Sequence, residues 1–253
     1  MKVSIITVCY NSELTIRDTI NSVLEQDYND IEFIIIDGAS SDSTLDIIRE
    51  YGVQVSIVIS EADNGIYDAM NKGIESSTGD IVGILNSDDF YTRSTVISDV
   101  VCSFKGDSEL NMFLGSVDFV NQSNINKVVR TYSSRHFSKW QMRFGIMPPH
   151  PAAFMLRDSY IKAGLYNTAY KIGADFELLL RFLSIHKFKY RVDSSVLVRM
   201  RVGGVSTSGI SSYILSTKEI LSALNANKVY SNTFFVLLRL IVKVFQRCNP
   251  PEN

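Results

Sequence analysis

Along the first 90 residues, short unbroken apolar runs alternate with stretches whose apolar positions fall three or four apart. The runs at 3–8, 31–36, 54–59 and 80–85 predict strands. Between them, Ile16, Ile20, Val23 and Leu24 mark one face of a helix, with Ser12 as its expected N-cap. The Ser40-Ser41-Asp42-Ser43 turn precedes a helix through Ile47 and Ile48, and the polar loop 61–65 precedes a helix over 66–76. Strands that alternate with helices imply an α/β fold with a mostly parallel sheet.

The middle of the chain is more mixed. A helix is expected over 95–104, and strands over 111–120 and 127–132 across the polar turn 121–126. Pro148-Pro149-His150-Pro151 reads as a rigid loop feeding a strand at 152–156. A helix over 174–186, an extended stretch over 189–202 and the Gly203-Gly204 break follow, then helices at 212–225 and 233–247. The expected organisation is a domain over 1–210, in halves 1–90 and 91–210, with a helical appendage over 211–253.

Composition narrows the partners. With 253 residues, 45% of them apolar, the chain can bury a sizeable core. A net charge of −2 leaves no basic excess to neutralise a phosphate backbone, so nucleic acid is not expected as a partner. Three widely spaced cysteines fit a reducing compartment better than a disulfide framework, and lack zinc-site spacing. The opening apolar run is too short for a signal peptide, and no run approaches a membrane span. A cytoplasmic protein is therefore expected. Residues 234–247 are apolar except for Arg239, Lys243, Gln246 and Arg247, and no acid lies between Glu219 and Glu252. Such a helix suits an anionic membrane surface, and equally a cover for the sheet.

Carboxylates stand just beyond the apolar runs: Asp37 after 31–36, and Asn86-Ser87-Asp88-Asp89 after 80–85. Open α/β sheets bind ligands at the carboxyl ends of their strands. Acids there suit a diphosphate held through Mg²⁺ or Mn²⁺, with Asp88 and Asp89 as ligands. A solvated turn gives the same pattern. Asp175, opening a helix, is the candidate general base, although an acid in a helix's first turn also serves the dipole. Asp63 and Asn64 are candidates for holding a nucleoside, with Asn71 and Lys72 facing the donor one turn later. His150 is a candidate metal ligand, or a structural histidine. Arg199, Arg201 and the 203–206 loop offer cations and backbone donors to a diphosphate.

Five ordered segments resemble family 2 glycosyltransferases of GT-A fold. They are Val3 to Ser12, Ile36 to Thr44, Asp63 to Gly73, Asn86 to Asp89, and Ala174-Asp175 with Arg181. The likeness is dense to residue 90, sparser to about 206 and absent over the last forty or so. It implies an inverting, metal-dependent sugar transfer. Val8, Cys9, Tyr10, Asp37, Asp63 and Asn64 would hold the nucleoside, usually uridine; Asp88, with Asp89 beside it, would hold the metal; Asp175 would deprotonate the acceptor; Arg181 and Arg201 would contact phosphate or acceptor. The chain departs from the family where Asn86, Met70 and Ala174 replace residues that are often charged. It is similar to short bacterial members that extend polyprenyl-diphosphate-linked saccharides for surface polysaccharide such as O-antigen, at the cytoplasmic membrane face. By analogy, the donor expected is UDP-glucose or UDP-galactose, joined with β geometry. An inactive sugar-nucleotide-binding subunit is the alternative. A nucleotidyltransferase would need a Gly-rich loop where Val8-Cys9-Tyr10-Asn11-Ser12 stands.

Overall fold

The computed structural model describes residues 1–203 and 210–239. One mixed sheet runs in the order β3-β2-β1-β4-β8-β6-β9-β5, with β7 on the side of β6. Its strands are β1 (Val3–Cys9), β2 (Ile31–Asp37), β3 (Ile57–Ser60), β4 (Ile81–Ile84), β5 (Asp89–Tyr91), β6 (Met112–Asn121), β7 (Asn124–Tyr132), β8 (Ala153–Leu156) and β9 (Tyr190–Arg201). The helices are α1 (Ile16–Leu24), α2 (Thr44–Glu50), α3 (Ile66–Ser76), α4 (Val96–Gly106), α5 (Arg157–Ala163), α6 (Ala174–Leu180), α7 (Ile210–Ala226) and α8 (Thr233–Leu237).

β1 pairs in parallel with β2 and with β4, and β2 pairs in parallel with β3. Both faces of β1, β2 and β4 are buried, which is why they read as continuous apolar runs. Ile5, Phe33 and Ile35 face α1, α2 and α4; Ile6, Ile34 and Ile36 face α3, α6 and α7. Gly73 sits in the middle of α3 because a Cβ there would fall 2.3 Å from Ile6 Cγ2. The bare backbone lets α3 press onto β1. β8 returns antiparallel to β4 with Gly83 opposite Phe154, so the residues ahead of β8 run back toward the carboxyl end of β4.

The α/β class and the mostly parallel nucleotide half stand as expected. Other details differ. Ser12 is not the N-cap of α1: Thr15 holds that position without a side-chain cap bond, while the Ser12 carbonyl accepts from the Thr15 and Ile16 N–H groups and its hydroxyl meets Ser87. Residues 52–54 form a 3₁₀ turn around the left-handed Gly52, so β3 starts only at Ile57. The helix expected over 174–186 is α-helical to Leu180 and continues as a π turn over Arg181–Ile185. Short elements escaped the periodicity, namely β5, α5 and a 3₁₀ helix over Lys139–Phe144. The last carries a sequence signal, a Ser138/Gln141 capping box.

The expected boundary at 210/211 precedes a helix that belongs to the same core. Ile220, Ala223 and Leu224 of α7 and Val236 of α8 pack with Ala174, Phe176, Leu178 and Leu179. Lys243, Gln246 and Arg247 lie outside the described residues, as do Gly204, Val205 and Ser206 of the 203–206 loop. Among the described residues, no helix is long and apolar enough to cross a membrane.

Candidate active site

The carboxyl ends of β1, β2 and β4 meet because their register is locked. Cys9 stands opposite Asp37, and the loops beyond β1 and β4 are joined by a 2.8 Å hydrogen bond between Ser12 and Ser87. Asp37 is fully buried. Its carboxylate accepts from the Ser40 N–H at 3.1 Å, the Ser40 hydroxyl, the Ser60 hydroxyl at 2.7 Å and the Cys9 thiol at 3.6 Å. It therefore ties three loops together, with its oxygens occupied by protein donors. Burial, followed by the Asp37 charge, pushes the Cys9 thiol up, so Cys9 serves as a neutral donor.

Beside this knot the surface opens. Tyr10 is exposed, and a Cβ on Gly38 would meet Asp63 Oδ2 at 2.5 Å and the Tyr10 ring at 3.5 Å. An aromatic ring and a carboxylate thus flank a bare stretch of backbone, an arrangement suited to a flat base with an N–H edge. Asp63 Oδ1 caps the Gly65 N–H at 2.8 Å; Asn64 donates its backbone N–H to Asp68 at 2.9 Å. Lys72 is paired with Glu61 at 2.8 Å.

Three neighbouring residues after β4 have different environments. Asp89 enters β5, is buried, and accepts from Asn86 Nδ2 at 3.2 Å. Burial, then the Asp88 charge, raises its pKa well above the carboxylate range. Asp89, expected as a metal ligand, lies buried beneath the loop with its carboxylate orienting Asn86. That contact leaves Asn86 Oδ1 buried with no hydrogen-bond partner. Burial also raises Asp88, offset by its own N–H and by Arg201. Arg201 donates to the Asp88 carbonyl at 2.7 Å, pairs with Asp18 and stacks over Phe90. Among the described residues, no three His, Cys, Asp or Glu side chains converge as a closed metal cage. Asp88 and the orphaned Asn86 oxygen fit a hard cation that takes its other ligands from water and a diphosphate.

Asp175 is half-buried at the start of α6, beside Tyr67 in the first turn of α3. That turn follows β3, so Asp175 looks onto the same carboxyl edge. Burial raises its pKa to about 6; a hydrogen bond from the Phe176 N–H (2.7 Å) opposes the rise, while the Glu219 charge adds to it. Tyr67 stacks on Tyr166 at 5.6 Å, and the Tyr166 hydroxyl meets His150 Nε2 at 2.7 Å. Burial lowers the His150 pKa to about 4, so the ring is neutral, with Nε2 engaged by Tyr166.

Two expected donor contacts are otherwise engaged. Asn71 exchanges both amide hydrogen bonds with the Tyr166 backbone, each at 2.9 Å. Arg181 pairs with Glu177 and donates to the carbonyls of Ala163, Gly164 and Leu165, closing the C-terminus of α5. Neither side chain is free to reach a phosphate in this arrangement. The supporting groups Tyr67, Tyr166, Glu177 and Glu219 were not singled out from the sequence. Tyr67 lay inside a recognised segment, but Glu219 acts on residues 46–48 positions away and leaves no local trace.

A family model described as Glycosyl transferase family 2 matches residues 4–164. An uncharacterized glycosyltransferase of Mycobacterium tuberculosis is 31% identical over 182 residues, 71% of this chain and 68% of the relative. A PGL/p-HBAD biosynthesis glycosyltransferase of Mycobacterium bovis is 28% identical over 184 residues, 72% of this chain and 69% of the relative. Among solved structures, S. aureus TarS 1–349 in complex with UDP-GlcNAc superposes with a TM-score of 0.68 at 17% identity, over 88% of this chain and 66% of that one. The mannosyltransferase PcManGT from Pyrobaculum calidifontis, in complex with GDP-Man and Mn²⁺, gives 0.65 at 17% identity, over 96% and 69%. These structures share the fold, and the chain spans about two thirds of their length.

Replacing Arg181 by Met strands the buried Glu177 carboxylate and uncaps α5. Urea unfolding should show a loss of roughly 3 kcal/mol, the scale of a broken buried pair.

Proposed function

We propose that this chain, which belongs to glycosyl transferase family 2, is a metal-dependent inverting transferase. It moves a hexose from a UDP-sugar to a polyprenyl-diphosphate-linked saccharide at the cytoplasmic face of the membrane, for bacterial surface polysaccharide. The supporting observation is a half-buried carboxylate with a pKa near 6 on the sheet edge that also carries Asp88. The structural neighbours were solved with UDP-GlcNAc and with GDP-Man and Mn²⁺, which favours a nucleotide-sugar at this edge. Glucose or galactose as the sugar, and β as the linkage, rest on analogy alone.

In this reading Tyr10, Gly38 and Asp63 receive the base, and the diphosphate lies toward Asn86 and Asp88. A divalent metal held by Asp88 and Asn86 would neutralise the charge that grows on the leaving diphosphate. Asp175 takes the proton of the acceptor hydroxyl. That oxygen bonds to the anomeric carbon from the opposite face, and the bond to the diphosphate breaks with its electron pair on the phosphate oxygen. The Phe176 N–H holds the carboxylate while burial keeps it basic.

Membrane association draws on a surface of two elements. Phe144 stacks on Phe235 at 5.1 Å, and around this pair Trp140, Tyr230, Phe234 and Leu237 are exposed. Lys139, Arg143 and Lys228 are exposed on the same segments. Aromatic rings among cations suit the headgroup layer of an anionic bilayer.

The deciding experiment is turnover of UDP-sugars with lipid-diphosphate acceptors, product linkage being read by NMR. Asp175→Asn should cut the rate at least roughly 100-fold with unchanged UDP affinity by calorimetry. The base must be deprotonated, so wild-type kcat/KM should fall as pH drops through about 6. Retained UDP binding without any turnover in the wild type would favour the binding-subunit alternative. Asp88→Ala should abolish UDP-dependent Mn²⁺ binding, read by electron paramagnetic resonance, together with transfer. Trp140→Ala with Phe234→Ala should weaken sedimentation with phosphatidylglycerol vesicles about tenfold; unchanged pelleting would remove this surface from the proposal.

A further inference from the structure

We infer that Glu219 is a positioning residue for the proton acceptor: from α7, it holds the turn that presents Asp175 to the cleft. The inference rests on the reading of Asp175 as the base. Glu219 Oε1 accepts the Lys171 N–H at 2.9 Å, and Oε2 accepts those of Ile172 at 2.9 Å and Gly173 at 2.8 Å. Three successive amides therefore converge on one carboxylate, and the next residue but one after Gly173 is Asp175.

The grip is two-sided. The Ile172 carbonyl, on the same residue whose N–H meets Glu219, accepts from the Tyr67 hydroxyl at 2.6 Å. One residue of the turn is thus pinned between α7 and α3. Gly173 makes the approach possible, since a Cβ there would lie 3.2 Å from Glu219 Cβ and 3.3 Å from Oε2. Farther along, Asn227, just past the end of α7, donates to Glu177 of α6 at 3.3 Å, a second tie between the two segments.

A purely structural cap would act only on stability. Glu219 also carries charge. Asp175 faces Tyr67 from α3, Tyr132 from β7, Tyr166 from the preceding loop and Glu219 from α7. Tyr132 in turn feels Arg130 and Arg239. Of the groups that bear directly on Asp175, Glu219 is the one that disfavours its ionised form by charge, and so keeps the base stronger.

The test compares full-length Glu219→Gln and Glu219→Ala with the wild type and Asp175→Asn. Gln retains the length and one carbonyl acceptor but removes the charge. The acid limb of its kcat/KM profile should move to lower pH by roughly half a unit, the effect of one charge across a partly solvated distance. Ala should lower kcat about tenfold or more, at unchanged UDP affinity, because a base displaced by about an ångström transfers protons poorly. An acid limb unmoved in Gln, or a kcat within twofold of wild type in Ala, overturns the inference. If Ala folds poorly, the pH limb of Gln decides alone. Full transfer by Asp175→Asn instead overturns the base assignment and the inference with it, whereas an inactive Asp175→Asn beside an unmoved limb overturns the role of Glu219 only.

Discussion

The parallel pairing of β1 between β2 and β4 is the constraint on which the site depends. Strands buried on both faces cannot shift register without driving a whole set of side chains out of the core. Cys9 is therefore fixed opposite Asp37, and Ser12 is brought to Ser87. Loops that are separate in sequence become one edge. Asp37, with donors from Cys9, Ser40 and Ser60, converts that edge from three flexible connections into a single tied surface.

Burial then sorts the carboxylates by task. Asp89 enters the sheet, where its pKa rises well above the carboxylate range and its contact is the amide of Asn86. Asp88 is half-buried, its pKa raised by burial and held back by its own N–H and by Arg201. Asp175 is half-buried and near 6, ionised at neutral pH yet more basic than an exposed aspartate. The side chain is the same in each case; its depth and its neighbours set the direction of each shift. This division underlies the proposed transfer reaction.

The long apolar strands were legible because burial on both faces leaves a run that no amphipathic helix would produce. Asp37 and Asp88 drew attention because they stand just beyond such runs, Asp63 and Asp175 because they fall in segments that resemble the family. What the sequence hid was partnership. Arg181 looks like a phosphate ligand until Glu177 and three carbonyls are seen around it. Asn71 looks like a donor contact until its amide is found on the Tyr166 backbone. Short elements such as β5 and α5 hold too few residues to show a period, and the break of α6 into a π turn carries no compositional mark.

The family match ends at residue 164, ahead of Asp175, and the clasp on Asp175 comes from a helix that starts at Ile210. A ribosome lays down β1 to β4 first and α7 only after every strand of the sheet. A nascent or prematurely stopped chain would thus shape its donor edge while the turn before Asp175 still lacks its clasp. In the proposed reaction, a chain stopped short of residue 219 would meet its donor without the hydrogen bonds that seat its base.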